Sequence, residues 1–385
     1  MHMAHVYVIG ATGSGKSNYL KSILPEGAFC VLDKHGTLAR EIADSMPCIY
    51  WRPADLEWPI GLNPLQNVHA DHRWKVTADI VSAISDIWNL GPETPRLLYY
   101  LRSSLRLLLD TNGTTLLDVR RVLSDDNFRA RLLRKCTDTQ TRQTWDEFSN
   151  KKEQQQAQEI SSLQNKVAAL ADPLPLRLIL GQPTSTISIP KLLATGTSLV
   201  LDLSDLGDEP AALMGALVIN AFKQAAEASP DPRPYDLIID EFQNFGTNII
   251  ATILSEARKW QLNLTIAHQF IHQLEPVVAQ AVLGNCSTIV SFRVGPDDAP
   301  IIGKALDWGE RDLQDLPVGT ARMRTLIDGQ PTSAMLLRTE RVELPGGWLE
   351  KNIRNTRAKY GRRRGDVERR QNRPQRAERR RSWGN

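Results

Sequence analysis

The run Gly10-Ala11-Thr12-Gly13-Ser14-Gly15-Lys16-Ser17 has the residue types and spacing that a phosphate needs. Glycines let successive backbone N–H groups turn inward, and a helix start adds a favourable partial charge. In the pattern G-x-x-x-x-G-K-[ST], Lys16 is expected to reach the β- and γ-phosphates and the Ser17 hydroxyl to ligate Mg²⁺. A second set of reactive groups lies much later, where the apolar run Leu237-Ile238-Ile239 ends in Asp240-Glu241. A carboxylate at a strand end can hold Mg²⁺ through water, which is the role expected of Asp240. Glu241, one residue on, can accept a proton from an attacking water. That adjacent acid favours a nucleoside triphosphate hydrolase over a kinase or a passive binder. The next apolar run, Leu262 to Ala267, is followed by His268-Gln269. Gln269 can hydrogen-bond a γ-phosphate or the lytic water, whereas His268 reads as structural or supporting. Asp33 and His35 close another apolar run, and no spacing assigns them a role.

Elements must bring these groups together. Val6 to Ile9 is a buried-strand pattern, and Ser17 to Ser22 can open a helix with no Pro or Gly until Pro25. Phe29–Asp33 predicts a second strand, Leu38–Ser45 a helix and Cys48–Trp51 a third strand, before the Pro-rich loop Pro53 to Pro64. Strands resume at Thr197–Leu203, Tyr235–Asp240, Leu262–Ala267, Ser287–Phe292 and Ala321–Ile327, with Ala334–Arg338 as an edge strand. Helices are predicted between them at Ala211–Ala228, Ile249–Trp260 and Pro276–Leu283. This alternation predicts an α/β fold with a mainly parallel sheet. Residues 66–180 have a different texture. Ile80, Ile84, Ile87 and Trp88 share a helical face, as do Leu97, Leu101, Leu105 and Leu108, and again Ile160, Leu163, Val167 and Leu170. No glycine falls between Gly113 and Gly181, so the block reads as an inserted all-α domain. Its polar run Lys151 to Glu159 reads as an exposed helix surface.

Composition narrows the class. The four cysteines lie far apart, with neither zinc spacing nor a disulfide framework, and read as reduced thiols of a cytoplasmic protein. A P-loop starting at residue 10 leaves no room for a signal peptide. The longest apolar stretch, Ala211 to Phe222, is too short for a bilayer, so a soluble chain is expected. Charge is unevenly spread. Residues 351–385 hold 14 Lys and Arg against three acids, a net of +11, while the remainder nets −8. From residue 346 the expectation is a disordered basic tail that binds phosphate backbones without reading bases.

Six motifs follow one another in order: the P-loop, VLDKHGTL (Val31–Leu38), PIGLNPL (Pro59–Leu65), LIIDEFQNF (Leu237–Phe245), ILSEARKWQLNLTIAHQF (Ile253–Phe270) and STIVSFRVGPDDA (Ser287–Ala299). Together they resemble the cytoplasmic part of type IV secretion coupling ATPases, the TraD/TraG-like DNA pumps of the HerA/FtsK superfamily. The likeness covers roughly residues 4–345, and the helical block resembles that family's all-α domain. It implies a RecA-like P-loop motor in residues 1–65 and 181–345, a ring hexamer that moves DNA at the expense of ATP. Relaxase and secretion-channel proteins are its implied partners. In that family an Arg matching Arg258 is thought to act on the neighbouring subunit's nucleotide, and Arg293 is the reserve candidate. Membrane-bound members carry an N-terminal transmembrane anchor that this sequence lacks, so the expected place is cytoplasmic, peripheral to the inner membrane where it docks. A HerA-type helicase or a viral genome-packaging ATPase shares every motif. An ATP-switched adaptor and a protein-export ATPase are the alternatives of other classes.

Overall fold

The computed structural model describes residues 5–91 and 93–371, without the side chains of Thr247, Ala257 and Arg258. The strands are β1 Val6–Ile9, β2 Phe29–Asp33, β3 Ile49–Trp51, β4 Leu199–Asp202, β5 Tyr235–Ile239, β6 Leu262–His268, β7 Thr288–Ser291, β8 Thr320–Arg324, β9 Leu326–Ile327, β10 Gln330–Pro331 and β11 Met335–Arg338. Nine of them form one sheet in the order β11-β8-β7-β1-β6-β5-β2-β4-β3, and β9 pairs with β10 in a separate hairpin. All pairings from β7 to β3 are parallel, while β8 runs antiparallel to both β7 and β11. Every residue of β1, β2, β4 and β5 is buried, as expected for parallel strands covered on both faces. The α/β fold with its mainly parallel sheet is therefore present.

The chain divides into two units, the first comprising Met1–Arg52, Ile189–Ser204 and Ala221–Asn355. It contains the whole sheet, with a core that includes Val8, Leu20, Val31, Ile42, Val200, Ile238, Val290 and Phe292. The second comprises Pro53–Ser188, Asp205–Asn220 and Thr356–Asn385. Its helices include Arg73–Trp88, Pro95–Leu109, Thr139–Ser149 and Glu153–Ala171. Tyr100, Trp145 and Phe148 pack with ring centroids 5.4 to 5.8 Å apart. Buried Arg129 spans the rings of Trp145 and Phe148 and donates to the Val122 carbonyl at 2.9 Å.

These boundaries differ from those expected at residues 65, 181 and 345, and hydrogen bonds give the reason. The PIGLNPL segment is sewn into the helical unit: buried Asn63 donates to the carbonyls of Thr114 and Pro183, both at 2.9 Å. The Gly61 N–H donates to Thr186 Oγ1 at 2.8 Å.

The expected disorder from residue 346 is corrected for residues 349–371. Leu349–Tyr360 is a helix, and a second helical stretch covers 364–371. Leu349 and Ile353 pack on the core of the first unit, where buried Asn352 donates to Ala43 O and Met46 O at 2.7 and 2.8 Å. The rest of the expected tail, residues 372–385, lies outside the described residues. The strand expected over Ala321–Ile327 also stops early, at Arg324. Asp328 and Gly329 both take positive φ (51° and 77°), the two-residue turn that folds β9 onto β10.

Candidate nucleotide site

Register brings the chemistry to one edge of the sheet. In the parallel pairing of β1 with β6, Ile9 lies opposite His268, and Gly10 N–H donates to the His268 carbonyl at 3.3 Å. In the pairing of β5 with β6, Ile239 lies opposite Ile266. The P-loop after β1, Asp240-Glu241 after β5 and Gln269 after β6 therefore leave the sheet side by side. The loop turns tightly at Gly13 (φ +73°) and Gly15 (φ +121°). A Cβ on Gly10 would lie 2.6 Å from Phe292 Cβ and 2.8 Å from Ser14 Oγ, so only glycine fits where the loop packs on Phe292. The helix Lys16–Ser22 follows at once.

Within this edge the side chains form one network. Buried Lys16 donates to the loop carbonyls Gly10 O at 2.6 Å and Ala11 O at 3.4 Å, and its Nζ lies 3.9 Å from Glu241 Oε1. Burial lowers the pKa of its ammonium, while Glu241 and Asp240 pull the other way. Gln269 bridges two of the expected groups: its Nε2 donates to Glu241 Oε1 at 2.6 Å, and its Oε1 accepts from Thr12 Oγ1 at 2.9 Å. Asp240 is buried with no hydrogen-bond partner for Oδ1, and burial, then Glu241 and Asp33, push its pKa up to about 6. Ser17 is exposed at the helix start, and Ser14 Oγ is buried without a partner.

The network includes residues that the motif spacing did not single out. Gln243 Nε2 donates to Glu241 Oε2 at 2.8 Å, so an amide holds each carboxylate oxygen. Glu241 has φ +52°, and Asn244 Nδ2 donates to its carbonyl at 2.8 Å; Lys34 Nζ donates to Asn244 Oδ1 at 3.0 Å. Polar residues between Phe242 and Phe245, both buried, were the only available sign. The loop before β8 also touches the P-loop, with Gly319 N–H donating to Ser14 O at 2.9 Å.

Other candidates fall differently. His268 is buried between Tyr7, whose hydroxyl is 3.4 Å from Nδ1, and the Phe242 ring, and burial followed by Lys16 lowers its pKa to about 3. Asp33 accepts from the His35 and Ala39 N–H groups, fixing the loop after β2. Arg258 lies in the 3₁₀ turn Ala257–Trp260, and its side chain is outside the described residues. Arg293 is exposed, and its carbonyl accepts from Ala11 N–H at 2.8 Å.

The donor set fits a nucleotide-borne metal. Mg²⁺ commonly takes one or two protein oxygens and completes its shell with phosphates and water. Asp240 Oδ1, unpartnered, and the exposed Ser17 hydroxyl are suited to this. Among the described residues no group of three or more His, Cys, Asp or Glu could hold a metal unaided.

Comparison with solved structures gives the fold. The chain is similar to the bacterial conjugative coupling protein TrwB in its unbound form, with TM-score 0.66 and 16% identity over 90% of this chain and 87% of that one. The plasmid coupling protein TrwB in complex with ADP and Mg²⁺ aligns at TM-score 0.67 and 16% identity, over 89% and 87% of the two chains. VirB4 of Thermoanaerobacter pseudethanolicus aligns at TM-score 0.60 and 16% identity, over 88% and 89%. The chain thus shares its fold with the coupling protein TrwB and with VirB4. Neither protein-family profiles nor curated proteins give a match. Among the described residues no helix is long and apolar enough to cross a membrane.

Proposed function

We propose that this chain is a Mg²⁺-dependent ATPase that assembles as a homohexamer and translocates DNA in the manner of conjugative coupling proteins. The observation that carries the reading is the convergence of Lys16, Asp240, Glu241 and Gln269 at one sheet edge, around a glycine-lined phosphate cradle. Gly10 to Ser17 bind the triphosphate, and Lys16 exchanges the loop carbonyls for β- and γ-phosphate oxygens. Glu241 takes the proton of the water that attacks the γ-phosphorus as the bond to the β-phosphate oxygen breaks. Gln269, tied to both Thr12 and Glu241, reports whether the γ-phosphate is intact. Mg²⁺, held by Ser17 and the Asp240 side, supplies charge neutralisation on the phosphates when bound.

Residues 66–180, which fall within the second unit, serve this motor as its inserted all-α part, and the basic C-terminal segment contacts phosphate backbones. Relaxase and secretion-channel proteins are the proposed partners, at the cytoplasmic face of the inner membrane. The experiment is ATP hydrolysis with and without DNA over a salt series. DNA-stimulated hydrolysis is expected, and removing residues 372–385 should weaken DNA binding and flatten its salt slope. That segment has five arginines and one glutamate, so the slope should fall by up to about 4. A turnover rate indifferent to DNA would favour protein export instead.

A further inference from the structure

We infer that Gln243 is a positioning residue for hydrolysis: it holds Glu241 with its amide N–H and offers its carbonyl oxygen to the lytic water. The inference rests on Glu241 being the base, as proposed above. A carboxylate can only accept hydrogen bonds, so the Gln243 NH₂ faces Glu241 Oε2, at 2.8 Å. That contact fixes the other end of the amide. Gln243 Oε1 is buried and has no hydrogen-bond partner, although Gln243 as a whole is only half-buried. The companion amide is differently committed, since the carbonyl oxygen of Gln269 already accepts from Thr12.

An attacking water has two protons and must aim a lone pair at phosphorus. One proton goes to Glu241. The second needs an acceptor beside the carboxylate, and Gln243 Oε1 is such an acceptor. The local backbone supports the placement. Glu241 sits in the left-handed region at φ +52°, and the turn Phe242–Phe245 folds back so that residue 243 returns to the side chain of residue 241. Asn244 holds that turn through the Glu241 carbonyl, and Phe242 and Phe245, both fully buried, anchor it.

The test compares Gln243→Met, which keeps length and loses both hydrogen-bonding ends, with Gln243→Asn, which keeps the amide and shortens its reach. Nucleotide affinity is measured beside steady-state hydrolysis. Both variants are expected to bind Mg·ATP as the parent does and to lose about 10- to 100-fold in kcat with KM unchanged, less than a missing general base costs. In a Glu241→Gln background, Gln243→Met should change the residual rate by less than about 2-fold, because the two groups act as a unit. Parental kcat in Gln243→Met overturns the proposal, and so does loss of nucleotide binding in both variants, which would make the role structural. Parental turnover of Glu241→Gln by itself would instead remove the underlying assignment of the base.

Discussion

Asp240 directly follows β5 with a buried carboxylate whose Oδ1 has no hydrogen-bond partner, and whose pKa is pushed from 3.8 to about 6. The raised value keeps the neutral form favoured in the fold up to about pH 6. Its contribution to stability is fully present below pH 3.8 and is lost as pH rises through 6. At pH 8 the nucleotide-free protein then carries a buried charge that costs up to about 3 kcal/mol. Asp240→Asn removes that charge. Without nucleotide, this variant should be more stable than the parent by roughly 1–3 kcal/mol at pH 8, with the gap closing towards pH 4, as read by urea unfolding at both values. A variant less stable than the parent at pH 8 would contradict the argument. Metal-dependent nucleotide binding needs the ionised form, so in the parent it should strengthen from pH 5 to 7 and be lost in Asp240→Asn. Lys16 and Glu241 separate differently. Lys16→Ala should abolish nucleotide binding, whereas Glu241→Gln should bind ATP and fail to release phosphate. A nucleotide-binding assay beside a phosphate-release assay reads both, and hydrolysis at the parental rate in Glu241→Gln would unseat it as the base. The meeting of Lys16, Asp240, Glu241 and Gln269 at one sheet edge was legible in the sequence, because strand-end positions already placed them there. Gln243 was not, since its contact depends on a left-handed turn at Glu241 that spacing does not encode.

Among the elements, buried strands and amphipathic helices announce themselves through apolar runs and periodicity, and β1, β2, β5, β6 and β7 lie within about two residues of expectation. The helix Leu349–Tyr360 did not, because composition averages over a segment while docking uses a few residues. Its mean character is polar and basic, yet Leu349 and Ile353, four apart, supply one apolar edge. Asn352 supplies the specificity: its side chain satisfies Ala43 O, Met46 O and, at 3.2 Å, Cys48 N–H, the groups that close the helix Thr37–Ser45 and lead into β3. Removing that amide strands three backbone groups, one buried and two partly buried. Asn352→Ala should therefore destabilise the protein by about 2–4 kcal/mol, with KM for ATP little changed, since none of these groups touches the P-loop. Urea unfolding measures the loss. A cost below about 0.5 kcal/mol would show the helix to be a loosely held appendage. PIGLNPL had a similar fate. Its resemblance to a family motif was legible, while its work, with Asn63 bonded to Thr114 and Pro183, lies in long-range contacts that no local pattern shows.

At the scale of the assembled molecule, the proposed ring needs a group that acts across an interface, and the strand geometry constrains which arginine can do so. Arg258 precedes β6, whereas the P-loop lies beyond its far end, where His268 meets Gly10. The seven residues of β6 rise about 3.3 Å each, so roughly 20 Å of strand separates Arg258 from its own phosphate cradle. An Arg side chain does not cover that distance, and any action of Arg258 on a γ-phosphate must be on a neighbour's. Arg293 is the opposite case, because its own carbonyl accepts from the P-loop residue Ala11. A guanidinium stays charged and can stabilise charge developing on the γ-phosphate, an effect of about 10³-fold or more in related phosphoryl transfers. Mixing inactive variants separates the two. In a mixture of Arg258→Ala with Lys16→Ala, some interfaces pair an intact P-loop from the first with an intact arginine from the second, so ATPase activity should partly return. If Arg293→Ala is inactive alone, Arg293 serves its own site; in its mixture with Lys16→Ala no single subunit then has both groups, and activity should stay absent. Full activity of Arg258→Ala alone would dismiss it as the finger. Recovery only in the Arg293 mixture would transfer the role to that residue, and with it place the neighbour's contact at the P-loop edge of the sheet.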